Sequence, residues 1–208
     1  AVIFDFSSKS FRNDLYADYK AHRPPPPEEL VPQFPLTREA TRAFGIACEE
    51  IEGFEADDII ATLTCQAREA GGRVTIVSSD KDMMQLVGGG VEMLDPIKNK
   101  RIDRDGVFEK FGVFPERVVD VQALMGDSVD NVPGIFGIGP KAASKLIAER
   151  GSLTAALDAA PAMKAGKLKE RLIEGRGDAE LSKILVTLKE DCDLPQPLEE
   201  MKLGPVPP

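Results

Sequence analysis

The spacing of apolar positions changes several times along the chain. Residues 1–6 form a short apolar run that predicts a buried strand with Asp5 near its carboxyl end. Ile59, Ile60, Leu63 and Ala67 recur at helical spacing, which predicts a helix opening just after Gly53. Gly71 and Gly72 stop it, and residues 73–78 have the β-branched composition of an interior strand. Residues 91–94 read as another strand, 100–102 as an edge pairing, and 104–111 and 116–125 as helices. Strand, helix, strand in this order implies a largely parallel sheet. Residues 35–44 predict a helix ending at Gly45, with 46–51 leading back into the body. Beyond Gly151 the pattern is helical, with candidates at 153–159, 164–173 and 179–188, and residues 193–208 are proline-rich and linker-like.

Composition narrows the class. A chain of 208 residues with 42% hydrophobic content can form a full core, burying about 70% of its unfolded surface. No apolar run reaches the roughly 18 residues of a membrane span, and the start lacks the basic flank of a signal peptide. It has no initiator Met and opens inside a strand, so a fragment is expected. Cys48, Cys65 and Cys192 are far apart and form no paired motif, which predicts reduced thiols in a cytoplasmic protein. A net charge of −9 argues against a nucleic-acid binder unless the acids are concentrated in one place.

The acids do cluster in the sequence. Glu55, Asp57 and Asp58 fall in the first turn of the predicted helix. Negative side chains there complement the helix dipole, at about 0.3–1 kcal/mol each. Three acids in four positions also repel one another unless something positive lies between them, and a divalent cation would serve. Asp5 stands where ligands sit in open α/β sheets, or is a strand-end turn residue. Asp80 and Asp82 form a pincer if the chain is extended, or Asp80 is the N-cap of a short helix through Leu86. Asp127 and Asp130, three residues apart, would share one side of a helical turn.

Two further stretches concern binding. Lys9, Arg12, Tyr16, Tyr19, Lys20, His22 and Arg23 precede the run Pro24 to Pro27, interleaving aromatic faces with cations as single-stranded nucleic acid requires; an ordinary solvated loop is the plainer reading. His22, the one histidine, lacks a partner for metal binding. The glycines at 134, 137 and 139 make a tight loop before Pro140, where a helix begins whose exposed N–H groups, with Lys141 and Lys145, form an anion site. With the helix before it, this reads as a helix-hairpin-helix that grips a nucleic-acid backbone without reading sequence. Lys164, Lys167, Lys169 and Arg171 form a basic cluster, most simply a solvated face.

Taken together, Phe54-Glu55-Ala56-Asp57-Asp58, Ser79-Asp80-Lys81-Asp82, the segment Gly126 to Gly134 and Gly137-Ile138-Gly139 resemble the 5′ nuclease family in order and spacing. Within it they are most similar to the 5′ to 3′ exonuclease domains joined to bacterial polymerases, relatives of the flap endonucleases. Phe4-Asp5 and residues 19–23 fit the same pattern, and the resemblance spans nearly the whole chain. It implies an α/β fold with a mostly parallel central sheet flanked by helices (a PIN-like core), a helical arch, and a C-terminal helix-hairpin-helix region. The expected division is a core over 1–112 with the arch at 7–44, a helical DNA-binding region over 113–192, and a tail over 193–208.

The resemblance also implies two divalent metals, Mg²⁺ with Mn²⁺ able to substitute. Asp5, Glu55, Asp57, Asp58 and Asp80 would surround the first, directly or through water, and Asp82, Asp127 and Asp130 would serve the second. Hard carboxylate oxygens suit magnesium. The implied chemistry is in-line hydrolysis of a phosphodiester, leaving a 5′ phosphate and a 3′ hydroxyl. Lys20 and Arg23 would steer the scissile phosphate and Tyr19 would stack on an unpaired base. Arg12, Gly134, Gly137, Ile138, Gly139, Lys141 and Lys145 would contact DNA, with a potassium ion at the hairpin. The implied partners are DNA with a 5′ flap, nick or gap and a polymerase portion of the same parent chain, with no membrane, and the chain acting as a monomer. If those eight acids line one site, the remainder of the chain is close to neutral. The family pattern begins with an earlier strand bearing a further metal-site aspartate that this sequence does not contain, so a DNA-binding fragment without catalysis is the alternative.

Overall fold

The computed structural model describes residues 1–204. The β-branched stretches pair as read, but into two small sheets rather than one. β1 (Val2–Ile3) runs parallel to β2 (Cys48–Glu49), with Val2 opposite Cys48. β3 (Val74–Val77) runs parallel to β4 (Val91–Asp95), and β5 (Lys100–Ile102) closes that sheet as an antiparallel edge. No hydrogen bonds join β1 to β3 among the described residues. An open groove of about 720 Å³ lies between them, lined by Val2, Ile3, Ile60, Leu63, Ile76 and Val77. The strand expected over 1–6 is accordingly only two residues long and not buried, and Val77 is 63% exposed, because each has a neighbour on one side only.

The short α1 (Phe11–Leu15) and then α2 (Gln33–Ala43) lie in the segment 7–44, and α2 buries none of its residues. α3 (Ala56–Glu69) lays Ile59 and Ala61 into the core. The core continues through Met83, Met93 and Val107, the last on α4 (Arg104–Phe111), to Val118, Val121 and Leu124 on α5 (Val118–Met125). α5 packs on α6 (Pro140–Arg150) and, beyond α7 (Leu153–Ala159) and α8 (Lys167–Glu174), on α9 (Arg176–Val186). One apolar cluster thus spans both halves of the chain, and the α/β class with a helical carboxyl-terminal half is as expected.

Local differences have local causes. Asp80 is an N-cap: its Oδ1 accepts from the Asp82 N–H at 2.9 Å, and a 3-10 helix follows over Lys81–Leu86. The chain therefore turns at Asp80, and the extended pincer does not form. Asp127 and Asp130 share no helical turn; reciprocal backbone bonds between Asp127 and Val132, 2.9 and 2.7 Å, close a loop around them. The helix expected over 116–125 opens with a 3-10 turn at Pro115–Arg117. The tail is not free through its described part. The turn Leu198–Glu200 packs on α3, and Gln196 Nε2 donates to Glu49 at 2.5 Å. Residues 205–208 lie outside the described residues.

Candidate metal centre and nucleic-acid interface

The start of α3 organises the site. Asp5, delivered by the end of β1, caps the helix by accepting the Ala56 N–H on Oδ1 at 2.7 Å. Asp58 accepts the Glu55 N–H at 3.2 Å. The Glu55 carboxylate, largely covered, is met by Ser10 Oγ at 3.1 Å, Tyr19 Oη at 3.3 Å and Lys20 Nζ at 2.7 Å. Asp57 stands beside Glu55, Asp80 and Asp82. Burial and then the repulsion of Asp80, Glu55 and Asp82 push its carboxyl up from 3.8 to about 7, with Lys20 opposing. Asp82 is pushed up to about 6 by burial and by Asp80, against the pull of Lys81 and a hydrogen bond from Gln122.

Asp127 and Asp130 reach this ring from the loop after α5. Gly126 and Gly134 make that loop possible. Both hold positive φ, 68° and 58°, and a Cβ on Gly134 would lie 2.3 Å from Gly126 N. The two strands of the loop thus touch backbone to backbone, which only glycine permits. Asp127 Oδ1 accepts from Val129 N at 2.8 Å and its other oxygen pairs with Lys81. Burial alone would raise the Asp127 carboxyl; the Lys81 and backbone bonds outweigh that and lower it. Asp130 pairs with Arg23, and Lys20 Nζ lies 3.9 Å from its Oδ2.

Glu55, Asp57, Asp80, Asp82, Asp127 and Asp130 therefore neighbour one another, with Asp5 at the edge beside Glu55, but cations stand between them. Lys20 pairs with Glu55 and reaches Asp130, Arg23 pairs with Asp130 and Lys81 with Asp127, and no group of three or more acidic, histidine or cysteine side chains is gathered at ligand distance among the described residues.

Asp58 is the exception. It is fully buried, its oxygens bond Arg12 Nη1 and Nη2 at 2.7 and 2.8 Å, and Lys189 N adds 2.9 Å. Its acceptor capacity is used by the fold, which corrects the reading of Asp58 as a metal ligand. Arg12 is corrected with it: 1% exposed, it also donates to the carbonyls of Leu185 and Thr187 and presents nothing to a nucleic acid. Tyr19 is 5% exposed within a small cluster with Val132, Leu185 and Val186, so its ring is not free to stack on a base.

The hairpin is split in the same way. Ile138 is buried at 3% exposure and Gly134 N donates to Ser182 Oγ at 2.8 Å, so neither offers a contact surface. Gly137, Gly139, Lys141 and Lys145 are exposed, and Arg171 Nη1 braces the loop through Gly137 O at 2.8 Å. Lys81 and Gln122 are site residues the sequence reading passed over. Lys81 was visible as a cation between two acids. Gln122 was visible as a polar residue in the apolar phase of α5.

Two family models match the chain: 5′-3′ exonuclease, N-terminal resolvase-like domain, over residues 1–112, and 5′-3′ exonuclease, C-terminal SAM fold, over 113–208. The chain is 55% identical to DNA polymerase I of Rhizobium leguminosarum over 99% of its own length and 20% of that protein. It is 39% identical to a 5′-3′ exonuclease of Aquifex aeolicus, over 97% of this chain and 68% of that one. The chain thus spans about a fifth of the polymerase relative. Among solved structures, T5 5′-exonuclease with divalent metal ions (zinc) bound superposes with a TM-score of 0.80 at 25% identity, covering 89% of this chain and 72% of that one.

Proposed function

Because the chain belongs to the 5′-3′ exonuclease family, matching both of its domain models end to end, we propose that it is a metal-dependent nuclease that hydrolyses DNA at 5′ flaps, nicks or gaps. One observation carries this reading: Asp57 is held, buried, beside the carboxylates of Asp80, Glu55 and Asp82, and burial followed by their repulsion pushes its carboxyl up to about 7. A divalent ion is the partner that resolves such crowding, and the donor set, all carboxylate oxygen, fits a hard cation such as Mg²⁺ or Mn²⁺.

Asp5, Glu55, Asp57 and Asp80 would hold one ion, and Asp82, Asp127 and Asp130 a second. The ions supply water activation and charge neutralisation at the phosphate. Lys20 and Arg23, now on Glu55 and Asp130, are placed to donate to the oxygens of a scissile phosphate beside the ring. The exposed Lys141 and Lys145 would grip the duplex through its phosphates, which fixes position without reading sequence. A potassium ion at the hairpin turn belongs to the same proposal. We extend the reading to a monomer working in the bacterial cytoplasm next to a polymerase portion of its parent chain.

The test is cleavage of a 5′-flap oligonucleotide with and without Mg²⁺, using Asp127→Ala as control. Metal-independent cutting, or undiminished cutting by the variant, would sink the reading.

A further inference from the structure

Two glutamines flank Asp82, and they are satisfied differently. Gln85 engages both ends of its amide: Nε2 donates to the carbonyls of Asp82 and Val186, each at 3.0 Å, and Oε1 accepts from Leu188 N at 3.1 Å. Gln122 sits on α5, 1% exposed among Val118, Val121 and Leu124. Its Nε2 donates to Asp82 Oδ1 at 2.5 Å, and its Oε1 is buried with no partner among the described residues. The orientation follows from chemistry: a carboxylate only accepts, so the amide NH₂ faces Asp82 and the carbonyl turns away.

A buried carbonyl without a donor lowers stability, and an apolar side chain of the same size would remove that cost. For the core, then, the amide is an unfavourable choice. For Asp82 it is a favourable one, because a donor fixed by a packed helix holds one carboxylate rotamer. The same helix runs directly into Gly126 and Asp127. One rigid element thereby sets Asp127 by its end and Asp82 by its flank.

We propose that Gln122 is a positioning residue that orients Asp82 for a divalent ion and aligns it with Asp127. This rests on the reading of Asp82 as an ion-binding acid. Gln122 itself touches neither ion nor substrate; it acts through the Asp82 carboxylate.

The experiment measures Mn²⁺ binding to the DNA-free chain by titration calorimetry, alongside its thermal midpoint in chelator, for Gln122→Met, Gln122→Leu and Asp82→Ala. The expected result is a folded Gln122→Met with a thermal midpoint close to that of the parent, the relieved carbonyl offsetting the donor lost at Asp82, and Mn²⁺ affinity lower by about 10-fold, the usual effect of removing an outer hydrogen-bond partner. Unchanged affinity in Gln122→Met, with affinity lost in Asp82→Ala, overturns the role of Gln122 and leaves the metal reading standing. Unchanged affinity in Asp82→Ala instead removes the metal reading beneath it. Failure of both Gln122→Met and Gln122→Leu to fold also overturns the proposal, since the argument requires that an apolar side chain suit that position.

Discussion

Arg12 and Asp58 form a bidentate ion pair, Nη1 to Oδ2 at 2.7 Å and Nη2 to Oδ1 at 2.8 Å, with the two side chains 1% and 0% exposed. Breaking such a pair leaves an uncompensated buried charge, which costs about 3–5 kcal/mol, whereas replacing both partners by apolar groups is often neutral. Arg12→Met and Asp58→Leu should each shift the urea midpoint sharply downward, and the double variant should lose less than the sum of the two, though not recover fully, because Glu55 N, Lys189 N and the carbonyls of Leu185 and Thr187 lose their partners. Additive losses in the double variant would show that the pair is not coupled.

Stability should depend on pH through Asp57 and Asp82. Their carboxyls are raised from 3.8 to about 7 and about 6, so the folded chain holds protons the unfolded chain has released. That contribution is fully present below about pH 4 and is lost as pH rises through these values. Asp127 is lowered and acts below that window, losing its contribution as pH falls. In chelator the chain should therefore melt lower at pH ~7.5 than at pH ~5.5. Saturating Mg²⁺ should narrow the difference, because the ion replaces the protons. Calorimetric scans at the two pH values, with and without the ion, check this.

Lys20 and Lys145 should separate chemistry from grip. Lys20→Met removes the donor beside Glu55, and single-turnover cleavage of a flap should slow by about 10²–10³ at saturating enzyme. Lys145→Ala, at an exposed position on α6, should leave that rate unchanged, weaken binding, and reduce the salt slope of affinity by about 1. Equal effects on rate from both variants would contradict the division.

Gly134→Ala should be costly at a position far from any exposed contact. The new methyl would meet Gly126 at 2.3–2.6 Å with φ at +58°, and the loop holding Asp127 and Asp130 would have to open. A loss above about 1 kcal/mol is expected, read as a lower thermal midpoint together with weaker Mn²⁺ binding.

The reach of the sequence can be judged residue by residue. Asp57 in the first turn of α3 and Asp80 as an N-cap were legible from local helix-start rules, whereas the Asp80–Asp82 pincer and the helical turn joining Asp127 and Asp130 did not form, because backbone bonds turn the chain at both places. Asp58 was misread because its partner, Arg12, lies 46 residues earlier and is brought to it only by the packed fold. Tyr19 looked like an exposed stacking face; its burial follows from contact with Val132, Leu185 and Val186, which no local pattern reveals. The strand rhythm gave the parallel pairings, but not the groove between β1 and β3, because hydrogen bonding between strands distant in sequence leaves no mark on periodicity.

Arg12 also donates to the carbonyl of Leu185 at 2.7 Å and of Thr187 at 3.1 Å, across the boundary between the regions 1–112 and 113–208. The acids divide along that seam, with Asp57, Asp80 and Asp82 on one side and Asp127 and Asp130 on the other. The proposed metal-dependent chemistry at this ring would therefore belong to two surfaces meeting rather than to either piece. Severed near residue 112, the chain would split both its apolar core and this set of acids.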